Sequence, residues 1–478
     1  MELSKENLGI GRGRCGEPTT ADRVFLDYFR CPERFAEFEV KGELSSEPGF
    51  FQFGPDAMCY GQYAGKPPSP DLVHNLPDAS QDVGYDGSRV LLPFDLNQVV
   101  DNLRYERYCG ASPAITVDKF AWRSFSTGLY YLLRPILPIS VRKHLQRLRF
   151  QGWEQIAFPR WPVDFTVESI MQRAMALAMK ADHVTRVPFI WFWPAGARSC
   201  ALITHDVEGP AGRNFCGELL NLDDAFQIKS SFQVVPEGRY DTSDEFLESL
   251  RSRGFEVNVH DLHHVGSLFQ EKNKFLHRAA KINQYVTQFR TQGFRAGAMY
   301  RNQDWYEAFA FSFDMSVPNV AHLEPQRGGC CTVMPYFVGK ILELPLTTTE
   351  DYSLFHILGE YSIDLWKRQI EIILQKNGLV SILTHPDYIL KKRARKTYMD
   401  LLAHLVQLRA ERKLQIILPA ELDRWHRNRN EMQLICENGT WRVEGPDKER
   451  ARIAWAELRG DGITYSVDAD FDTATRPG

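Results

Sequence analysis

The sequence predicts an α/β chain built on an irregular (β/α) barrel of seven or eight units, flanked by a mixed N-terminal region and a small antiparallel β domain. Three observations predict it. Short apolar runs recur between about 195 and 425, at 200–204, 232–235, 256–259, 293–296, 311–317, 341–345, 379–384 and 414–418. The stretches between them carry helical pattern, as at 275–290 and 363–375, and repeated βα alternation argues for a parallel sheet. On both sides of this region the rhythm changes. The 478 residues are therefore divided into a region 1–190, a barrel 191–428 and a tail 429–478.

Composition narrows the class. Apolar residues make up 44% and charged residues 25%, ordinary for a globular chain long enough to bury a core without staples. The formal net charge of -4, from 57 basic and 61 acidic residues, argues against a general polycation made for nucleic acid. Residues 1–14 lack the apolar core of a secretory signal, and no run approaches the roughly 18 apolar residues of a membrane span. Nine cysteines are scattered with no C-x-x-C pair, which suggests neither a disulfide framework nor a cysteine zinc ribbon. A reduced, cytoplasmic protein is the expectation, with Cys330 and Cys331 serving packing.

The flanks read more simply. Up to about 115, glycines and prolines such as Gly65, Pro67, Pro68 and Pro70 separate short strand-like runs at 35–40 and 49–53. In the segment 130–150, Pro135 and Pro138 end any helix before Ser140, a suitable N-cap. Beyond it, Leu145 and Leu148 share a face, while Arg142, Lys143, Arg147 and Arg149 lie on others. The preferred reading is a solvated face on a packed helix. The competing one is peripheral contact with an anionic membrane surface. A further helix should start near Thr166 and run through Met171, Met175 and Met179. In the tail, Asn438 and Gly439 mark a hairpin turn, and 452–458 and 463–467 read as strands.

In a barrel of this kind chemistry sits where strands end. Those places hold Asp206 and Glu208, then His260 and His264, then Arg295, then Asp314, and last His385 before Pro386. Two imidazoles four residues apart can share a metal ion, and a carboxylate from a neighbouring strand end can supply a third ligand. Three ligands with an open position make a hydrolytic site, given a second carboxylate to take a proton and a histidine to return one. His205 and His263 stand beside these positions and read as packing or supporting groups.

The segments ALITHDVEG, FEVNVHDLHH, GFRAGA, FSFDMS and VSILTHP resemble, in order, the five motifs of the polysaccharide deacetylase (NodB-homology) family. The resemblance covers about 195–425. It implies Asp206 as general base, Glu208, His260 and His264 as ligands of one divalent metal ion (usually zinc), and Arg295 as the residue orienting the base. It also implies His385 as general acid, with Asp314 tuning its charge. Three positions depart from the family pattern. Glu208 stands where an Asp is usual, Asp261 where Ser or Thr is usual, and Gly297 and Ala298 where Pro and Tyr follow the arginine. The implied activity is removal of acetyl from an N-acetylated amino sugar of a surface glycan or its precursor, with the glycan as partner. The alternatives are hydrolysis of another linear or cyclic amide, as in allantoinase-like relatives, and an inactive glycan-binding or scaffolding member.

Overall fold

The structure is a computed structural model that describes residues 22–72, 75–109, 150 and 152–467. The basic segment with Arg142, Lys143, Arg147 and Arg149 lies outside the described residues. In the N-terminal part, β1 (Phe38–Val40), β4 (Gly84–Asp86) and β5 (Arg89–Leu92) form a small sheet in the order β1-β5-β4. Beside it β2 (Gly49–Gln52) pairs with β3 (Met58–Gly61). The run at 35–40 thus supplies β1 and the run at 49–53 supplies β2. The helix Leu96–Arg104 starts where the Asp95 side chain accepts from the Gln98 N–H, a cap that satisfies one of the first orphan donors.

The methionine-rich helix spans Thr166–Ala181 and buries Ile170, Met171, Ala174, Met175, Ala178 and Met179 on one face. Each fully buried side chain of that size contributes about 1.5–3 kcal/mol by leaving water. The helix packs against β5 and, from the far end of the chain, β18 (Ile453–Arg459) and β19 (Gly462–Val467), and β6 (Arg186–Ile190) follows it in the chain.

Among the described residues the central sheet has nine strands. The sheet members are β7 (Cys200–Val207), β8 (Ser231–Val234), β9 (Glu256–His260), β10 (Gly293–Arg295), β11 (Phe313–Asp314), β12 (Tyr336–Val338), β13 (Ile341–Glu343), β14 (Leu379–Thr384) and β15 (Gln415–Ile416). Their order is β12-β13-β11-β10-β9-β8-β7-β14, with β15 pairing the start of β7. All neighbours are parallel except β12 and β13. Every residue of β7 and β14 is buried, as expected of parallel strands covered on both faces.

The expected barrel is corrected in one respect. Among the described residues the backbone ladder ends at β12 and at β14 and does not close; the chain that follows β13 meets β14 through side chains. There the Thr347 hydroxyl donates to the Leu379 carbonyl at 2.7 Å and accepts from the Ser381 N–H at 2.8 Å. The Thr348 hydroxyl donates to the Ser381 carbonyl at 2.8 Å. The sheet is a curled half-barrel whose seam is made by side chains.

The tail also differs from expectation. β16 (Gln433–Glu437) and β17 (Thr440–Glu444) form the hairpin, with Asn438 and Gly439 at φ 52° and 81°, the left-handed pair an Asn-Gly turn requires. β18 and β19 do not make a separate small sheet. β18 pairs antiparallel with β6, giving the order β19-β18-β6. Ala454 and Ala456 join one core with Phe29, Met175 and Phe189, so the tail shares its interior with the N-terminal part.

Candidate active site

The period of two along β7 sorts its last residues by face. Thr204 and Asp206 point to one side and meet the same guanidinium: Arg295 Nη1 donates to both Thr204 Oγ1 and Asp206 Oδ1, each at 2.9 Å. His205 points to the other side, where its ring lies 2.9 Å from Thr384 Oγ1 and 3.2 Å from Asp223 Oδ2. His205 is a packed, buried group. Arg295 itself is fully buried and is fixed by a bond from its Nε to the Met315 carbonyl at 2.8 Å.

His260 closes β9, and its Nδ1 stands 3.1 Å from the Arg295 carbonyl. A carbonyl only accepts, so Nδ1 carries the proton and Nε2 offers its lone pair. His264 follows in the next turn with φ 52°, and its Nε2 is 2.9 Å from Glu208 Oε1. Ligand atoms of Glu208, His260 and His264 all lie within 4.8 Å of one another. Both Nε2 atoms are buried and face carboxylates without good hydrogen-bond geometry, His264 Nε2 toward Glu208 Oε1 and His260 Nε2 3.5 Å from Asp206 Oδ2. Two buried imidazole nitrogens converging with carboxylates are what a divalent cation would satisfy, so the donor set fits a metal ion. The Arg239 guanidinium, 3.3 Å from His264 Nδ1, leaves the His264 proton facing Glu208; cation binding would displace it.

The charges are set by neighbours. Burial alone raises the Asp206 carboxyl, but Arg295, then His260 and His385, outweigh it and leave it below its ordinary value. Glu208 is likewise raised by burial and then held well below the usual range by His264 and His385. Burial dominates at His260 and lowers it, keeping the ring neutral. His385 is the reverse case: burial would lower it, yet Asp351 and Glu208 raise it well above its ordinary value.

Asp351 is the residue that sequence reasoning missed. Its carboxylate accepts from the His385 backbone N–H at 2.8 Å and stands 2.6 Å from His385 Nδ1. Asp314, expected in that role, does not reach His385. It accepts from the Tyr306 and Ser316 hydroxyls, each at 2.7 Å, at the end of β11. Asp206, Glu208, His260, His264, Arg295 and His385 are brought together; Asp314 is not. Among the described residues Tyr388 also belongs to the group, its ring 4.9 Å from that of His385 and its hydroxyl 3.4 Å from Glu208 Oε2.

Two of the departures in the motifs are joined in space. A Cβ on Gly297 would lie 2.6 Å from Asp261 Oδ2 and 3.1 Å from His264 Cδ2. Glycine there lets the third loop press against the second. Asp261 in turn accepts from the Leu262 N–H at 2.7 Å, which braces the turn leading to His264. A similar close approach places Gly212 of the helix Pro210–Ala225 against Asp387, whose carboxylate accepts from the Gly212 N–H at 3.0 Å.

No family model and no curated protein matches the chain. Solved structures do align with about half of it. One named as a polysaccharide deacetylase from Mycobacterium smegmatis is 16% identical, with 50% of this chain and 93% of that one covered and a TM-score of 0.40. The Puue allantoinase is 12% identical, with 49% and 92% covered and a TM-score of 0.41. The peptidoglycan deacetylase PdaC from Bacillus subtilis is 12% identical, with 47% and 90% covered and a TM-score of 0.28. Likenesses this distant carry no argument about chemistry. The site's own residues carry it.

Proposed function

We propose that the chain is a metal-dependent hydrolase of the polysaccharide deacetylase (NodB-homology) type, removing acetyl from an N-acetylated amino sugar in a surface polysaccharide or its precursor. The observation that carries this reading is the convergence of three units. These are the Glu208, His260 and His264 donor set, the Asp206–Arg295 pair and the His385–Asp351 pair.

Glu208, His260 and His264 would hold a divalent ion (zinc being the usual one), which when bound would supply Lewis acidity for the amide carbonyl and for deprotonation of water. Asp206, kept ionised and aimed by Arg295, accepts the proton of the attacking water. The water oxygen bonds to the carbonyl carbon. His385, charged and held by Asp351 at Nδ1, gives its Nε2 proton to the leaving nitrogen as the C–N bond breaks. Acetate and a free amine leave. A low carboxyl pKa facing a high imidazole pKa divides the work of base and acid.

The test is Asp206→Asn. It should keep the metal content of the parent by elemental analysis and lose about 10²–10⁴-fold in acetate release from chitooligosaccharides. Full turnover in that variant sinks the base assignment. Unchanged metal content in His260→Ala sinks the ligand set. Ring opening of a cyclic amide with no acetate release overturns the substrate class.

A further inference from the structure

The active-site residues lie at and just past the C-terminal ends of the strands. At the other end of the sheet lies a cavity of about 540 Å³, between the N-terminal part and the barrel base. Gly339 and Leu342 bound it at the start of β13, and His426 and Arg429 bound it from the helix Pro419–Glu431. Its volume is in the range that holds a small organic molecule.

Its polar lining is unusual. Arg104 is only 7% exposed, and its Nε has no hydrogen-bond partner among the described residues. Its guanidinium carbon lies 5.2 Å from the centre of the Tyr336 ring. His426, 8% exposed, has an orphaned Nε2 as well. Burial pushes it down to about 3, so it enters the cavity neutral. Arg429 directs its guanidinium at main-chain carbonyls of Ile190, Trp191, Asp27, Tyr28 and Phe29. Those bonds satisfy its donors and leave its charge without a carboxylate of its own.

Two aspartates also line the cavity, Asp27 and Asp101, against the three arginines Arg23, Arg104 and Arg429. Asp27 is already engaged by Arg23 at 3.5 Å and by Arg30 at 3.9 Å. Three arginines against two aspartates, with Arg104 Nε and His426 Nε2 unpartnered and Tyr28, Tyr105 and Phe337 as walls, have a definite chemical complement. We propose that this cavity binds a small organic anion, a carboxylate or phosphate carried on an apolar or ring-bearing body. The inference is independent of the hydrolytic reading and can stand if that reading fails.

The experiment is calorimetric titration of the full chain with benzoate, phenyl phosphate and inorganic phosphate. Saturable one-to-one binding is expected, with phenyl phosphate tighter than inorganic phosphate because the walls add apolar contact. Arg104→Gln should weaken binding by roughly tenfold or more. Arg23→Glu, at a position 77% exposed and so harmless to folding, should weaken it by about fivefold. Asp206→Asn should leave it unchanged. No saturable binding of any of the three probes overturns the proposal. So does an affinity that survives Arg23→Glu and Arg104→Gln unchanged. Loss of binding in Asp206→Asn would place the probe in the catalytic cleft and overturn it too. Equal affinity for inorganic and phenyl phosphate would overturn the organic body.

Discussion

Two regions of the molecule handle buried charge in opposite ways. At the strand ends, carboxylates and imidazoles crowd together: Asp206, Glu208, His260, His264 and His385 form one coupled group open to a cation. Behind it, the N-terminal part meets the barrel through a buried, closed pair. Arg301 Nε donates to Glu106 Oε2 at 2.7 Å, and both residues are buried. Glu106 also accepts from the Gly329 N–H, while Arg301 Nη1 holds the Met299 carbonyl at 2.8 Å. The second region is closed by hydrogen bonds, while the first gathers ligand atoms that a cation could take. Charge that is closed off braces a fold, and charge left open is available for chemistry.

That contrast can be broken from either side. Glu106→Gln leaves Arg301 buried without its counter-charge and should cost about 3–5 kcal/mol in denaturant unfolding. Because Arg301 supports the loop after β10, turnover should fall as well; a variant as stable as the parent would remove the bracing role. Next in size is Asp351→Asn. It should lower kcat by about 10²-fold with little change in stability, since His385 loses the group that keeps it charged. Asp314→Asn, measured beside it, should leave kcat within about threefold. If the two variants behave alike, the pairing of His385 with Asp351 has no special place in the reaction. The smallest effect is expected of Gly297→Ala, which crowds Asp261 and should raise KM or lower kcat by about tenfold. Adding Asp261→Ser should recover most of that loss, and no recovery would show that the two loops are not coupled.

The sequence made the strands and the convergent residues legible because both are local in kind. Each apolar run at 200–204, 232–235 and onward matches a strand of the sheet, and the site residues sit at strand ends: Asp206, His260 and Arg295 in the last two positions of β7, β9 and β10, Glu208 and His385 one position past β7 and β14, and His264 in the loop after β9. The pairing of His385 with Asp351 was hidden for a physical reason. The two are 34 residues apart, and Asp351 follows Thr347, Thr348, Thr349 and Glu350 in a stretch that reads as a polar loop. Asp314 misled because it lies at a strand end as the others do, yet its side chain is consumed by Tyr306 and Ser316. Likewise, nothing in the tail's hairpin pattern says that β18 will seek β6 across more than half the chain. Long-range pairing is decided by which edge is left over, and a linear pattern does not carry that.

The threonine seam between β13 and β14 has a consequence of another kind. In a barrel sealed by backbone amides, strand number and stagger together fix the circumference, and no point mutation can alter it. Here Thr347 and Thr348 set the last gap. The width of that gap thus depends on two side chains, and exchanging them would alter it with every strand left in place.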